Sequence, residues 1–247
     1  MWAEILAALP PPTLAALWAG AFVGGLAAGA AGFAFGIASA AIWLHAIDPV
    51  RTAFLIVAGG LTIQIGTIWP LHRSLDRGRL WPFLLAGIAG VPIGVWLLVR
   101  TDTGALKSVL GTFLALYGVY ALLAPRLPHV EAGRGADVLV GLIGGIMGGI
   151  GGYSGVAPAI WAQLRGWTRD TARAFYQPFI VVAHVATLIA LGTVALDRRG
   201  LIMFALALPA LALGAWTGWR IYGRLDERRF RQMFAVLLIV SGVILIF

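Results

Sequence analysis

The side chains best equipped for chemistry in this sequence lie between positions 150 and 185. Ser154 occupies the pattern GYSG at 152–155 and His184 the pair AH at 183–184, so a hydroxyl nucleophile and an imidazole base are both at hand. Within hydrogen-bond reach of each other and beside an oxyanion hole, they would make an intramembrane serine protease. Arg173, Gln177 and His184 suggest a different chemistry. They fall at i, i+4 and i+11, one face of an α-helix, and form a polar stripe in an otherwise apolar segment. His184 lies about 16 Å along such a helix from Arg173. The stripe suits an oxyanion, because a planar guanidinium gives charge-assisted hydrogen bonds to its oxygens.

The elements that must position these groups are membrane helices. Of the 247 residues, 60% are apolar and 11% charged, and the mean hydropathy is +0.92. These values exclude an ordinary soluble domain. Eight apolar segments follow one another: Trp18 to Ile47, Ala53 to Leu71, Leu80 to Val99, Val109 to Ala124, Val138 to Leu164, Ala174 to Leu196, Leu201 to Trp219 and Arg231 to Phe247. The fold class is therefore an all-α integral membrane protein. The opening MWAEILAALPPP has no basic residue and reads as a short interfacial lead-in ended by prolines. The net charge of +8 comes from basic residues spread through the connections, which sets topology and excludes a nucleic-acid surface. There is no cysteine, so thiolate metal sites and disulfides are excluded. All ten acids fall at predicted ends or connections, leaving no buried carboxylate for a cation or a carboxylate relay. No cofactor or metal is expected, and the cargo is a small anion. If protons couple to transport, His184 is the obvious mid-membrane carrier.

The chain is written twice. A shift of 119 sets Gly25 on Gly144, Gly29 on Gly148, Gly32 on Gly151, Gly36 on Gly155 and Thr52-Ala53 on Thr171-Ala172. Further on, GVW at 94–96 meets GAW at 214–216 and Arg100 meets Arg220. The linker APRLPHVEAGRGAD separates two repeats, 1–125 and 136–247, each opening with a Gly-rich segment. Such duplication is typical of transporters whose site lies between the halves. If all eight segments cross, the basic residues divide 11 against 7 between the two faces. If each Gly-rich segment instead dips in and returns, the halves are inverted and the division is 13 against 5, which obeys the positive-inside tendency better.

Seven glycines in the fifteen residues of GGIMGGIGGYSGVAP predict a helix break, since glycine weakens a helix by about 1 kcal/mol relative to alanine. A helix from Val138 reaches mid-membrane by Ile150. GGYSG turns there, and a second helix runs from Gly155 to about Arg165, with Ser154 as its cap and Pro158 in its first turn. The buried N-terminus of that half-helix favours an anion. The alternative is close packing of unbroken helices through small residues four apart, as in Gly144, Gly148 and Gly152 or Gly25 and Gly29. Shifted by the repeat, Gln64 matches Ala183, so each half offers a polar side chain at the depth of the turn. The many tryptophans read as interfacial anchors and packing residues.

Two Gly-led halves, the second reading GGIMGGIGGYSGVAPAI followed by TRDTARAF, resemble the sulfite exporter TauE/SafE family of bacterial inner-membrane permeases over nearly the whole chain. The resemblance implies a multi-pass transporter of the bacterial cytoplasmic membrane that moves sulfite, sulfoacetate, taurine-related compounds or aromatic sulfonates. The first half departs from the pattern, with fewer glycines in GAAGFAFGIASA and Ser39 in the place of Pro158. The expected substrate-binding residues are Tyr153, Ser154, Gly155, Arg173, Gln177 and His184 from the second half and Gln64 and Gly36 from the first. The partners are the anion and the lipid bilayer, with a homodimer as the assembly considered. The protease reading is weaker: the position matching Ser154 in the first half is Phe35, and the chain has no asparagine for an oxyanion hole. A non-transporting membrane scaffold is the third reading.

Overall fold

The computed structural model describes residues 9–67, 77–123, 130–195 and 197–246. The start of the lead-in and the linker residues 124–129 lie outside the described residues. Among the described residues ten helices run in order: α1 (Pro11–Ala31), α2 (Phe35–Trp43), α3 (Pro49–Thr67), α4 (Arg77–Arg100), α5 (Thr103–Leu123), α6 (Arg134–Gly151), α7 (Val156–Leu164), α8 (Arg169–Ala195, interrupted at Gly192), α9 (Arg198–Tyr222) and α10 (Glu227–Ile246). Six of these described helices are long and apolar enough to cross a membrane, and the apolar stretches 49–65 and 107–123 are shorter. The apolar segments 18–47 and 138–164 are thus two helices each. The prolines near the N-terminus start a helix: Pro10 is the N-cap of α1 and Pro11 its first residue. Proline fits there because its missing N–H has no partner in a first helical turn.

Helix pairing crosses between the two ends of the sequence. α1 lies along α9, α6 along α4, α5 along α10, and α3 against α8. Water is absent from a bilayer core, so these pairs are held by close backbone packing. A Cβ on Gly29 would overlap the Ala215 carbonyl oxygen of α9, and one on Gly145 would overlap the Gly87 carbonyl oxygen of α4. The packing face of α6 is Gly141, Gly145 and Gly149, not the predicted Gly144, Gly148 and Gly152. Gly144 instead admits the Phe179 ring, and Gly152 is where the helix ends. The main core gathers Trp43, Phe54, Ile56, Tyr153 and Tyr176 around the short helices, and a second cluster stacks Phe83, Phe175 and Phe179.

Candidate functional site

Each Gly-rich segment is a helical hairpin. α1 ends where Gly32 adopts φ 85°, its N–H bonding the Ala28 carbonyl at 2.6 Å. α2 then runs back along α1: Ser39 Oγ donates to the Gly20 carbonyl (3.0 Å) and Trp43 Nε1 to the Leu17 carbonyl (3.1 Å). The second hairpin repeats this scheme. Gly152 adopts φ 78° and bonds Gly148 (2.6 Å), and α7 returns along α6 until Trp161 Nε1 donates to Asp137 Oδ1 (2.8 Å) and Val130 N–H to the Leu164 carbonyl (2.8 Å). Each chain leaves its hairpin at the end where it started. Left-handed φ favours glycine, which lacks the Cβ that would strike the following carbonyl. The left-handed residues at the two hairpin tips are 32 and 152, a shift of 120, one more than the alignment that set Gly32 on Gly151.

Two expectations fail at these hairpins. Ser154 does not cap α7: Gly155 is the N-cap with no side-chain bond, and Ser154 Oγ has no hydrogen-bond partner among the described residues. The turn is closed by backbone instead, with Tyr153 N–H on the Met147 carbonyl and Val156 N–H on the Tyr153 carbonyl. A buried carboxylate also exists. Asp137 is in the first turn of α6, as an acid should be, yet the returning α7 covers it with Trp161. The tryptophans divide accordingly. Trp43 and Trp161 close hairpins from inside, while Trp18, Trp81, Trp96 and Trp216 are exposed.

The tips of the hairpins meet. A Cβ on Gly36 would stand 2.8 Å from the Gly152 carbonyl oxygen, and one on Gly155 would stand 2.7 Å from Phe33 Cβ. The carbonyl of each left-handed glycine is held by a buried side chain from the α3–α8 pair: Gln64 Nε2 donates to Gly32 (2.8 Å), and His184 Nε2 donates to Gly152 (3.2 Å). Gln64 therefore corresponds to His184 in role, not to Ala183. Gly60 of α3 makes room for the imidazole, since a Cβ there would lie 2.5 Å from His184 Cε1. Between the tips is a small cavity of about 10 Å³, room for a single water molecule, walled by Phe35, Gly36, Gly60, Gln64, Gly152 and His184. α2 begins in this wall, and the unpaired N–H groups and positive dipole end of a helix start belong there.

Of the predicted site residues, Gly36, Gln64 and His184 line this cavity. Ser154 and Gly155 are buried in the adjoining tip. Tyr153, in the same tip, faces a second space of about 30 Å³ with Leu44, Lys107 and Leu110. Gln177 is fully buried on α8 one turn from Arg173. Arg173 is also fully buried. Its Nη2 donates to the Gly29 carbonyl (3.0 Å) at the end of α1, and its plane lies over the Tyr222 and Trp219 rings at 4.0 and 5.0 Å. A cation at a helix C-terminus meets the negative end of the dipole. Tyr176, one turn on, donates Oη to the Ala31 carbonyl (2.5 Å). Tyr176 was missed by sequence reasoning, although it lies three residues from Arg173 on the same stripe. Beyond Tyr176 a wide cavity of about 590 Å³ opens between the ends of α7, α8 and α10, lined by Trp167, Arg169, Arg228, Phe230 and Arg231.

Residues 17–245 match the family model described as Sulfite exporter TauE/SafE. The chain belongs to the sulfite exporter TauE/SafE family. No curated protein and no solved structure matches it. As a TauE/SafE protein it is a multi-pass membrane transporter of anions, which the set of long apolar helices fits. The family does not favour the protease or scaffold readings. The geometry gives the protease no dyad either: His184 Nε2 is engaged by the Gly152 carbonyl, and Ser154 Oγ makes no bond to it.

Proposed function

We propose that this TauE/SafE protein is a secondary transporter of sulfur-containing anions, such as sulfite, sulfoacetate or other organosulfonates, bound where the two hairpin tips meet. The observation that carries this reading is the junction itself: two interrupted helices bring Gly36, Gly152, Gln64 and His184 together in the interior, with the buried cation of Arg173 nearby. Half-helix starts at mid-membrane depth are suited to negative charge. Ser154 Oγ and the amides around Gly155 bind the oxyanion when the tips part, and Gln177 and Tyr153 shape the path. The cavity of about 10 Å³ is too small for any of these anions, so loading requires the tips to separate.

The scheme extends to topology. Repeats 1–125 and 136–247 are inverted, each with one hairpin and three crossings. Supporting this are the matched pairings α1 with α9 and α6 with α4, and the matched cation–π pairs Arg100 over Trp96 and Arg220 over Trp216. The face holding both ends of the second hairpin carries 13 basic residues against 5, which assigns it to the cytoplasm of a bacterial cell membrane. The wide cavity opens on that face.

Two measurements test the reading. Purified protein in liposomes should show saturable counterflow of labelled sulfite, and Gly36→Val, which drives a side chain into the Gly152 carbonyl, should abolish it. Absence of counterflow with sulfite, thiosulfate, sulfoacetate and taurine alike refutes the substrate class. Because the chain has no native cysteine, G135C and W167C can be labelled singly, and both should react from one face.

A further inference from the structure

The wall of the central cavity contains one polar atom to which the transport scheme gives no task. His184 donates Nε2–H to the Gly152 carbonyl, which fixes the tautomer and leaves Nδ1 as a bare lone pair. That atom is buried and has no hydrogen-bond partner among the described residues. A Cβ on Gly60 would lie 2.8 Å from it, so the cavity wall is cut away where Nδ1 faces α3. A bare lone pair repels an approaching oxyanion, whereas the start of α2 and the Gln64 amide attract one. The conflict vanishes when the ring takes up a proton. Both nitrogens of an imidazolium are donors, so Nδ1–H turns to the anion while Nε2–H keeps its hold on Gly152.

We propose that this site loads an anion and a proton together, the proton binding His184 Nδ1. The inference rests on the reading of the tip junction as the anion site. The proton comes from solvent, adds to the Nδ1 lone pair and leaves with the anion. A monoanion and the imidazolium make a neutral pair, which lowers the cost of carrying charge through a low-dielectric interior. Arg173 is a cation already and donates to the Gly29 carbonyl, and Tyr176 donates to the Ala31 carbonyl, so neither of these neighbours at the first tip takes up the proton. On the helices packed against α8, Arg51 of α3, Arg100 of α4, Asp137 of α6 and Arg165 beside α7 all stand at helix ends. Tyr153 turns its ring onto Gly151. The partner latch is telling: Gln64 holds Gly32 as His184 holds Gly152, with an amide that does not titrate. One latch of the pair therefore carries the proton.

The test uses protein with isotope-labelled histidine in nanodiscs, titrated with sulfite and with methanesulfonate, a strong-acid anion that neither brings nor takes a proton. His184 is isolated by replacing the other three histidines, H45Q/H72Q/H129Q. The ring should change from the Nε2–H tautomer to the doubly protonated form as either anion saturates the protein. In liposomes, wild-type uptake of methanesulfonate should acidify the lumen by about one proton per anion. H184Q, which keeps a donor for Gly152, should abolish the acidification, and acidification at the wild-type level in H184Q overturns the proposal. A ring that stays neutral while anion is bound overturns the proposal and leaves the transport reading standing. Failure of both anions to bind overturns the transport reading and this proposal with it.

Discussion

Replacing Gly152 with alanine tests the turn on which the site depends. Gly152 holds φ 78°, where an L-residue costs about 1–2 kcal/mol through contact of Cβ with the next carbonyl. The added methyl would also overlap Ile56 Cγ2 and come within 3.2 Å of Ile56 Cβ and Val57 Cγ2. Both neighbours are β-branched and stiff at χ1, so relief requires backbone movement, and overpacking of this kind adds about 1–3 kcal/mol. Gly152→Ala should therefore destabilise the protein by about 2–5 kcal/mol, a large part of an ordinary folding free energy. Unfolding in mixed micelles followed by tryptophan fluorescence gives the value, and sulfite counterflow on the same preparation gives the functional cost. Adding Ile56→Ala removes the steric part and should yield a favourable coupling of about 1–3 kcal/mol in the double-mutant cycle. Gly133, where a Cβ meets nothing within 4 Å, is the control: Gly133→Ala should change stability by less than about 0.5 kcal/mol. If Gly152→Ala behaves like Gly133→Ala, the left-handed turn is wrong and the site built on it falls.

Three further outcomes are expected. Ser154→Ala deletes a buried hydroxyl that has no partner among the described residues, so the unfolding midpoint should hold or rise while sulfite affinity falls; a lower midpoint would mean the hydroxyl is bonded. Arg173→Lys loses the flat stack on Tyr222 and Trp219 and the bond to Gly29, and should cost about 1–3 kcal/mol. Unchanged anion affinity in Arg173→Ala, measured by titration, would remove Arg173 from the site. Asp197 joins α9 to α3 through Arg51 at 2.6 Å, and this bond, helped by the Gly200 N–H, holds its carboxyl below the usual range. A depressed carboxyl stabilises the fold above its unfolded pKa of about 3.9 and loses that contribution as pH falls through the folded value. The melting temperature should therefore fall below about pH 4 and do so less in Asp197→Asn.

Composition and repeat made the membrane class and the broken helices legible before any coordinates. The glycine-dense run around Tyr153 and Ser154, followed by Pro158, pointed to a turn. The same glycines hid their division of labour. Packing and turning both select glycine, so residue type alone does not separate Gly145, pressed on Gly87, from Gly152, turned left-handed. Spacing exposed Arg173, Gln177 and His184 as one stripe, but not that Arg173 serves the end of α1, because that contact joins residues 144 apart. Asp137 looked like a helix-end acid, and only the return of α7 buries it. Gln64 and His184 were matched to within one residue. Their shared task, holding the carbonyl of a left-handed glycine, is set by tertiary geometry that sequence does not print.

On the proposed inverted topology, the two faces of the molecule are built from corresponding elements yet differ in openness. On the Arg-rich face the ends of α7, α8 and α10 enclose about 590 Å³; on the other, the ends of α2, α3 and α5 leave about 30 Å³. The narrow side is filled by Leu44, Leu110 and Tyr153, and tied across by Lys107 Nζ on His45 Nδ1 (3.2 Å) and His45 Nε2 on the Ile244 carbonyl (3.2 Å). On the proposed inverted arrangement, the halves exchange these two conformations, so the reversed state reuses existing contacts and lies within a few kcal/mol. The tips are the pivot because each is gripped by the α3–α8 pair and each touches the other. On this arrangement a movement that opens one cavity pulls Gly36 away from Gly152, and that same separation is what the proposed central site needs to admit an anion.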